Sequence, residues 1–329
     1  MVGVFKQNNL GNAFFLLLYA LVIKFPMFIH GQYAVQLEGD NYIYHLVLKF
    51  LNPLTSSAPV LFPIIAFIFL FAQSTLINRL CNNLKLFPRP NYLVGMSYLL
   101  ITSLVKEWSY FSAPLLINFL LIWIWYLTNT WYNSNQPKTN IFNTSILVGI
   151  LPLIYSPSIA FILVLVLALL ITRPFRLTEW FIAILGLITP YYFLFVILYL
   201  VNKWQWQKLI SPIHFYLPKL TTSLWITGGI VLLVVPFLIG AFYVQNNLNK
   251  MLIQVRKTWS LLLVLLVVSL MIILINPGTG YQHWLMITIP LATFHAAVYY
   301  FSNSKFFALI LHWFIFAFVI LLQYNGLFS

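Results

Sequence analysis

From Phe181 to Val201 the chain reads Phe181-Ile182-Ala183-Ile184-Leu185-Gly186-Leu187-Ile188-Thr189-Pro190-Tyr191-Tyr192-Phe193-Leu194-Phe195-Val196-Ile197-Leu198-Tyr199-Leu200-Val201, without one charged residue. A run of ~20 apolar residues is what a helix needs to cross the hydrocarbon core of a bilayer. The rest of the sequence has the same character. Of 329 residues 62% are apolar and only 6% are charged, and the mean hydropathy is +0.94. A soluble domain carries roughly 25% charged residues. An ordinary soluble enzyme, a disordered tail and a secreted disulfide scaffold are therefore excluded, and the expected class is an all-α polytopic membrane protein. No linker or composition shift divides the chain, so residues 1–329 read as a single integral membrane domain.

Apolar runs lie near 12–30, 58–78, 91–105, 114–132, 144–156, 157–172, 178–201, 221–243, 259–276, 284–301 and 307–325. They predict about eleven spans. The fifth and sixth are separated only by Tyr155-Ser156-Pro157-Ser158, which predicts a tight hairpin or a re-entrant pair. Pro190 predicts a kink in the seventh. The first run follows Lys6, lacks a small-residue cleavage site, and reads as an uncleaved span rather than a signal peptide.

Lys and Arg number 17 against 4 Asp and Glu, a net charge of +13. In a chain this apolar the excess points to lipid headgroups and the positive-inside rule, not to nucleic acid. With the N-terminus inside, the inner segments hold Lys6, Arg79, Lys85, Arg89, Lys138, Arg173, Arg176, Lys250, Arg256, Lys257 and Lys305. The outer ones hold Lys49, Lys106, Lys203, Lys208 and Lys219, and Lys24 falls in the first span. Every arginine lies inside, which predicts an N-in, C-out membrane protein. Cys81 is the sole cysteine, so neither an internal disulfide nor a multi-cysteine metal site exists.

With four acids in the chain, each is informative. After Glu38-Gly39-Asp40-Asn41-Tyr42, apolar residues recur at Ile43, Leu46, Val47, Phe50 and Leu51, while Tyr42, His45 and Lys49 share another face. That spacing predicts a helix near 41–51 lying in the outer interface. Asp40 suits the N-cap position; Glu38 has no such structural role. Glu107, in Lys106-Glu107-Trp108, is either paired with Lys106 or a second functional acid at the same face. Carboxylates at a membrane boundary are candidates for function. Glu179 follows Arg176 by three residues, the spacing of a structural helix-terminus pair.

Two further outer segments carry cations. The stretch 202–220 holds Lys203, Lys208, His214 and Lys219 among tryptophans, and the turn Pro277-Gly278-Thr279-Gly280-Tyr281-Gln282-His283-Trp284 adds His283. They read either as an interfacial anchor with snorkelling lysines or as a site for a lipid phosphate. His30, His45, His214, His283, His295 and His312 include no pair at i,i+3 or i,i+4 spacing, so no helix presents a ready pair of metal ligands. Nucleophilic triads and nucleotide-binding glycine fingerprints are absent.

Phe5-Lys6-Gln7 with Gly11-Asn12, Asn78-Arg79-Leu80 with Leu86-Phe87-Pro88-Arg89-Pro90-Asn91-Tyr92, Ser112-Ala113-Pro114-Leu115, and Arg173 through Trp180 resemble a family of Bacteroidota multi-pass membrane proteins with a domain of unknown function. The likeness runs the full length and implies no activity. The order of parts is also similar to the C-type (GT-C) glycosyltransferases: an inner N-terminus, about eleven spans, an acid in the first outer loop before an interfacial helix, and another acid between spans three and four. That resemblance implies a catalytic base at Asp40 or Glu38 and a supporting acid at Glu107. It also implies a polyprenyl-phosphate-linked sugar as donor, whose leaving phosphate is offset by the lysines above or by a divalent cation. A non-catalytic membrane subunit, with lipid and a membrane protein as partners, and a lipid transporter are the competing readings.

Overall fold

The computed structural model describes residues 1–9, 11–29, 34–58, 60–132, 134, 136–204, 214–215, 223–275 and 280–324. Among them the chain is helical throughout, with only two isolated bridges, Asp40 to Tyr155 and Phe215 to Ile275. The helices are α1 Val2–Phe5, α2 Gly11–Lys24, α3 Pro26–Ile29, α4 Tyr42–Ser57, α5 Leu61–Asn83, α6 Leu93–Ile101, α7 Ala113–Thr130, α8 Pro137–Ile154, α9 Ile162–Thr172, α10 Leu177–Leu200, α11 Leu224–Asn247, α12 Ile253–Ile272, α13 Thr288–Phe301 and α14 Lys305–Tyr324. Short 3-10 turns precede α9 (Ser156–Phe161) and α13 (Gln282–Ile287).

Seven helical segments among the described residues are long and apolar enough to cross a membrane: Leu61–Asn83, Ala113–Thr130, Leu177–Leu200, Leu224–Lys250, Ile253–Ile272, Gln282–Phe301 and Lys305–Tyr324. The other four apolar runs form helices that fall short of that standard for local reasons. α2 has 14 residues and α6 has 9, which at 1.5 Å per residue span about 21 and 14 Å against a core of about 30 Å. The run 144–156 is the second half of α8, whose first turns carry Lys138, Asn140 and Asn143. The run 157–172 is divided between a 3-10 turn and the short α9.

α6 and α13 form the centre. All nine residues of α6 are buried, and α13 is buried from Thr288 to Tyr299. Helices without an exposed face carry no amphipathic stripe, and their polar groups must be satisfied inside the bundle. Tyr98 donates to Gln73 Oε1 (2.6 Å), and Gln73 Nε2 donates to the Leu115 carbonyl (2.7 Å). Asn118 Nδ2 donates to the Leu285 carbonyl at 3.0 Å. One chain of hydrogen bonds thus ties α5, α6, α7 and the start of α13. At the other end of α6, Asn78 and Asn82 donate to the Asn91 carbonyl, both at 2.9 Å.

Outer helices dock through small residues. A Cβ on Gly149 of α8 would lie 2.6 Å from the Leu187 carbonyl oxygen of α10, and one on Gly186 of α10 would lie 2.6 Å from Ser145 Cβ of α8. Only glycine permits so close a crossing, the usual device where lipid supplies no hydrophobic drive between helices. Two helices stop on left-handed non-glycine residues, Lys85 (φ 53°) after α5 and Asn202 (φ 54°) after α10. In both the next amide reaches back, Leu86 N to the Cys81 carbonyl and Lys203 N to the Leu198 carbonyl. These are Schellman closures, which use up the last carbonyls of each helix.

Candidate functional site

The four acids divide between the two ends of the bundle. Glu179 is buried at the start of α10 and receives two bonds from Arg173, at 2.8 and 3.2 Å. Its partner is therefore Arg173 and not Arg176, which is exposed. Arg173 reaches over from the preceding turn, where its guanidinium also donates to the Trp131 carbonyl at 3.3 Å.

The other three acids are organised by the connector 102–112. Its Phe111 carbonyl accepts from Val35 N (2.9 Å) and lies 3.4 Å from Tyr44 Oη, whose shorter bond, 2.7 Å, goes to the Val35 carbonyl. The loop 34–41 is thereby pinned to the bundle. Its far side is held by α8: Asn41 N donates to the Ile154 carbonyl (3.0 Å), Asn41 Nδ2 to the Pro152 carbonyl (2.9 Å), and Ser156 N to the Gly39 carbonyl (2.7 Å). Gly39 lies directly under Tyr155 and Pro157; a Cβ there would come within 2.6 Å of the Tyr155 ring.

Asp40 sits in this joint at 7% exposure. It is not the N-cap of the following helix. Asn41 takes that place, its Oδ1 accepting from Tyr42 N at 2.7 Å. One carboxylate oxygen of Asp40 accepts from Leu37 N at 2.7 Å, while the other is buried with no hydrogen-bond partner among the described residues. Burial pushes the carboxyl up to about 7, and the Leu37 bond only partly opposes it. The charge of Asp40 in turn adds to burial in raising the Tyr44 hydroxyl. Glu38, two residues away, is exposed.

The helix after Asp40 runs from Tyr42 to Ser57, longer than the expected 41–51 and carrying Pro53 inside it. Tyr44 and Leu48 turn into the bundle, because the Tyr44 hydroxyl is anchored on Val35. Leu46 and Phe50, from the expected apolar face, remain uncovered by protein together with Leu54.

Glu107 occupies a 3-10 turn, Lys106–Ser109. Instead of pairing with the exposed Lys106, it accepts a hydrogen bond from Tyr281 N. Trp108 Nε1 donates to the Tyr281 carbonyl at 2.7 Å. Burial raises the Glu107 carboxyl, opposed by the Tyr281 bond. Glu107 lines a cavity of about 240 Å³ with Lys106, Trp225, Ile226, Tyr281 and Leu322; Asp40 is not among its walls.

Lys203 and His214 are exposed. Lys208 and Lys219 lie outside the described residues. His283 is buried at 3% exposure, and neither ring nitrogen has a partner among the described residues. No group of three His, Cys, Asp or Glu able to hold a metal ion exists among the described residues.

Three contributors escaped the sequence reading. Tyr44 and Tyr155 flank Asp40, but nothing in one sequence marks a tyrosine among 19 as special. Lys24 was legible, since an ammonium inside an apolar run is costly and seeks a role. It is 1% exposed and donates to the Thr102 carbonyl and Ser109 Oγ, both at 2.9 Å. It thus ties α2 to the same connector that carries Glu107 and Phe111.

In class the chain is an all-helical protein with several helices long enough to span a membrane, with a buried carboxyl joint at one end of the bundle. No family model, curated protein or solved structure matches it.

Proposed function

We propose that the protein is a multi-pass enzyme of the bacterial inner membrane, resembling the GT-C glycosyltransferases, that uses Asp40 as general base on a polyprenyl-phosphate-linked sugar at the outer face. The observation that carries this reading is the state of Asp40. A base works best with a pKa near the working pH, and here a carboxyl held near 7 keeps one oxygen without a partner among the described residues. It lies directly before a helix whose Leu46, Phe50 and Leu54 are left for lipid, as an interfacial helix requires.

The topology belongs to the same proposal: eleven crossings, N-in and C-out, with α2, α6, α8 and α9 crossing beside the seven longer segments. Contacts between distant segments support the alternation. Asp40 with Tyr155, Glu107 with Tyr281 and Phe215 with Ile275 join segments assigned outside. Lys6 with the Tyr300 carbonyl and Arg89 N with the Tyr300 hydroxyl join segments assigned inside.

In the reaction Asp40 takes the proton of an acceptor hydroxyl as that oxygen bonds to the anomeric carbon. The bond from the anomeric carbon to the phosphate oxygen breaks, and the electron pair leaves with the polyprenyl phosphate. Lysines of 202–220 and, where one binds, a divalent cation offset the developing charge. Glu107 fixes the turn at Tyr281 rather than sharing the base's surroundings.

The test is complementation of a deletion strain, with polyprenyl-phosphate sugars read by mass spectrometry. The strain is expected to accumulate one such donor. Wild type and Glu38→Gln clear it, and Asp40→Asn slows clearance by the ~10²–10⁴-fold that a general base contributes. Full clearance by Asp40→Asn, or no accumulation on deletion, overturns the proposal in favour of a non-catalytic membrane subunit.

A further inference from the structure

At the end of the bundle opposite Asp40, a cleft of about 450 Å³ lies between the start of α2, the last turns of α5 and the segment leading into α6. Its walls include Asn8, Thr75, Arg79, Asn83 and Tyr92. Asn78 and Asn82 also border it, but their amides are committed to Asn91 and, through Asn78 Oδ1, to Gly95 N. The remaining polar groups can all donate: the Arg79 guanidinium, the Asn8 and Asn83 carboxamides and the Tyr92 hydroxyl. Among the described residues Arg79 meets no carboxylate: Glu179 is bound to Arg173, and Asp40 and Glu107 are held at the opposite end.

The surrounding backbone has the same polarity. α2, of 14 residues, and α6 both begin at this cleft without an acid in the first turn, but the Leu93 and Gly95 amides of α6 already donate to Asn91 Oδ1 and Asn78 Oδ1, so the helix start left to face a ligand is that of α2. Helix N-termini favour anions. The C-terminus of α5 would oppose an anion, but its Schellman closure at Lys85 already occupies the carbonyls of Cys81 and Asn82. A guanidinium, two carboxamides and the start of α2, with no side-chain acid nearby, form a receptor for a tetrahedral oxyanion, which arginine binds in bidentate fashion.

We propose that this cleft binds a phosphate group, carried either by an anionic phospholipid of the adjacent leaflet or by a free phosphate. Basic pockets between membrane helices are where anionic headgroups settle. The proposal stands independently of the role of Asp40, which lies at the other end of the bundle.

The test uses the full-length protein in neutral detergent, with native mass spectrometry to count bound lipid. The probes are short-chain phosphatidylglycerol, phosphatidylcholine of equal chain length, and inorganic phosphate. Wild type is expected to bind phosphatidylglycerol at least tenfold more tightly than phosphatidylcholine. Arg79→Gln is expected to lose tenfold or more of that affinity and Asn83→Leu several-fold, while Lys250→Gln, exposed elsewhere, binds as wild type. Inorganic phosphate bound with the same Arg79 dependence, with phosphatidylglycerol indifferent, assigns the site to a free phosphate and also supports the proposal. Arg79 and Asn83 are exposed, so both variants are expected to melt as wild type. If phosphatidylglycerol and phosphate bind both variants as they bind wild type, or if wild type binds neither, the cleft is not a phosphate site.

Discussion

Asp40 and Glu179 are buried to similar degrees, 7% and 2% exposed, yet they answer burial in opposite ways. Glu179 meets a guanidinium in a two-point grip. Among the described residues no cation pairs with Asp40, and its carboxyl rises to about 7. An isolated buried carboxylate shifts its pKa rather than remain ionised at full desolvation cost. Burial alone therefore says little about role. A buried acid paired with a cation serves the fold, whereas one held only by a backbone amide takes up a proton more readily.

The largest effect expected from this contrast falls on the paired acid. Glu179→Ala leaves Arg173 with little solvent and no counter-charge, and stability should fall by about 3–5 kcal/mol in detergent melting. Replacing both Arg173 and Glu179 by Met should recover most of that loss, because the apolar pair removes both desolvation penalties. If the single and double variants melt alike, the ion pair is not what holds this turn.

Asp40→Asn should act on stability in the opposite direction. Between its ordinary value of 3.8 and about 7, the folded chain binds more protons at this site than the unfolded chain. Stability is therefore lost as pH rises through that window. The amide keeps an acceptor for Leu37 N and carries no charge. The variant is expected to melt higher than wild type at pH 8, by about 2–4 °C for each kcal/mol recovered, by a smaller margin at pH 5, and equally only below the ordinary carboxyl value of 3.8. A wild-type melting temperature that does not change between pH 5 and pH 8 would refute the raised carboxyl.

Glu107 lies between these extremes, half-buried and held by one backbone donor. Glu107→Ala should cost about 1 kcal/mol, the lower end for a lost bond to a partly buried group. Glu107→Gln, which retains the acceptor for Tyr281 N, should cost less than about 0.5 kcal/mol by the same melting assay. Glu38 sharpens the comparison by its exposure, and Glu38→Gln should leave the melting temperature unchanged within about 1 °C.

The sequence by itself determined the all-helical class, the apolar segments and the helix after Asp40, because chain composition and the helical period fix these locally. It also set Glu179, at its arginine turn, apart from the other three acids. It did not determine which apolar segments form the centre. α6 is only nine residues long, and its burial on every side follows from the helices around it. Nor did it determine that Glu179 pairs with Arg173 instead of Arg176, that Asn41 rather than Asp40 caps α4, or that Tyr44 and not Phe50 faces the bundle. Each depends on atoms distant in sequence: the Trp131 carbonyl beside Arg173, the Pro152 and Ile154 carbonyls that fix Asn41, and the Val35 carbonyl that holds Tyr44. Residue spacing specifies what a helix turns toward its own neighbours. Only the tertiary structure decides which donor or acceptor meets it from across the bundle, and at Asp40 that decision leaves one oxygen with no partner among the described residues.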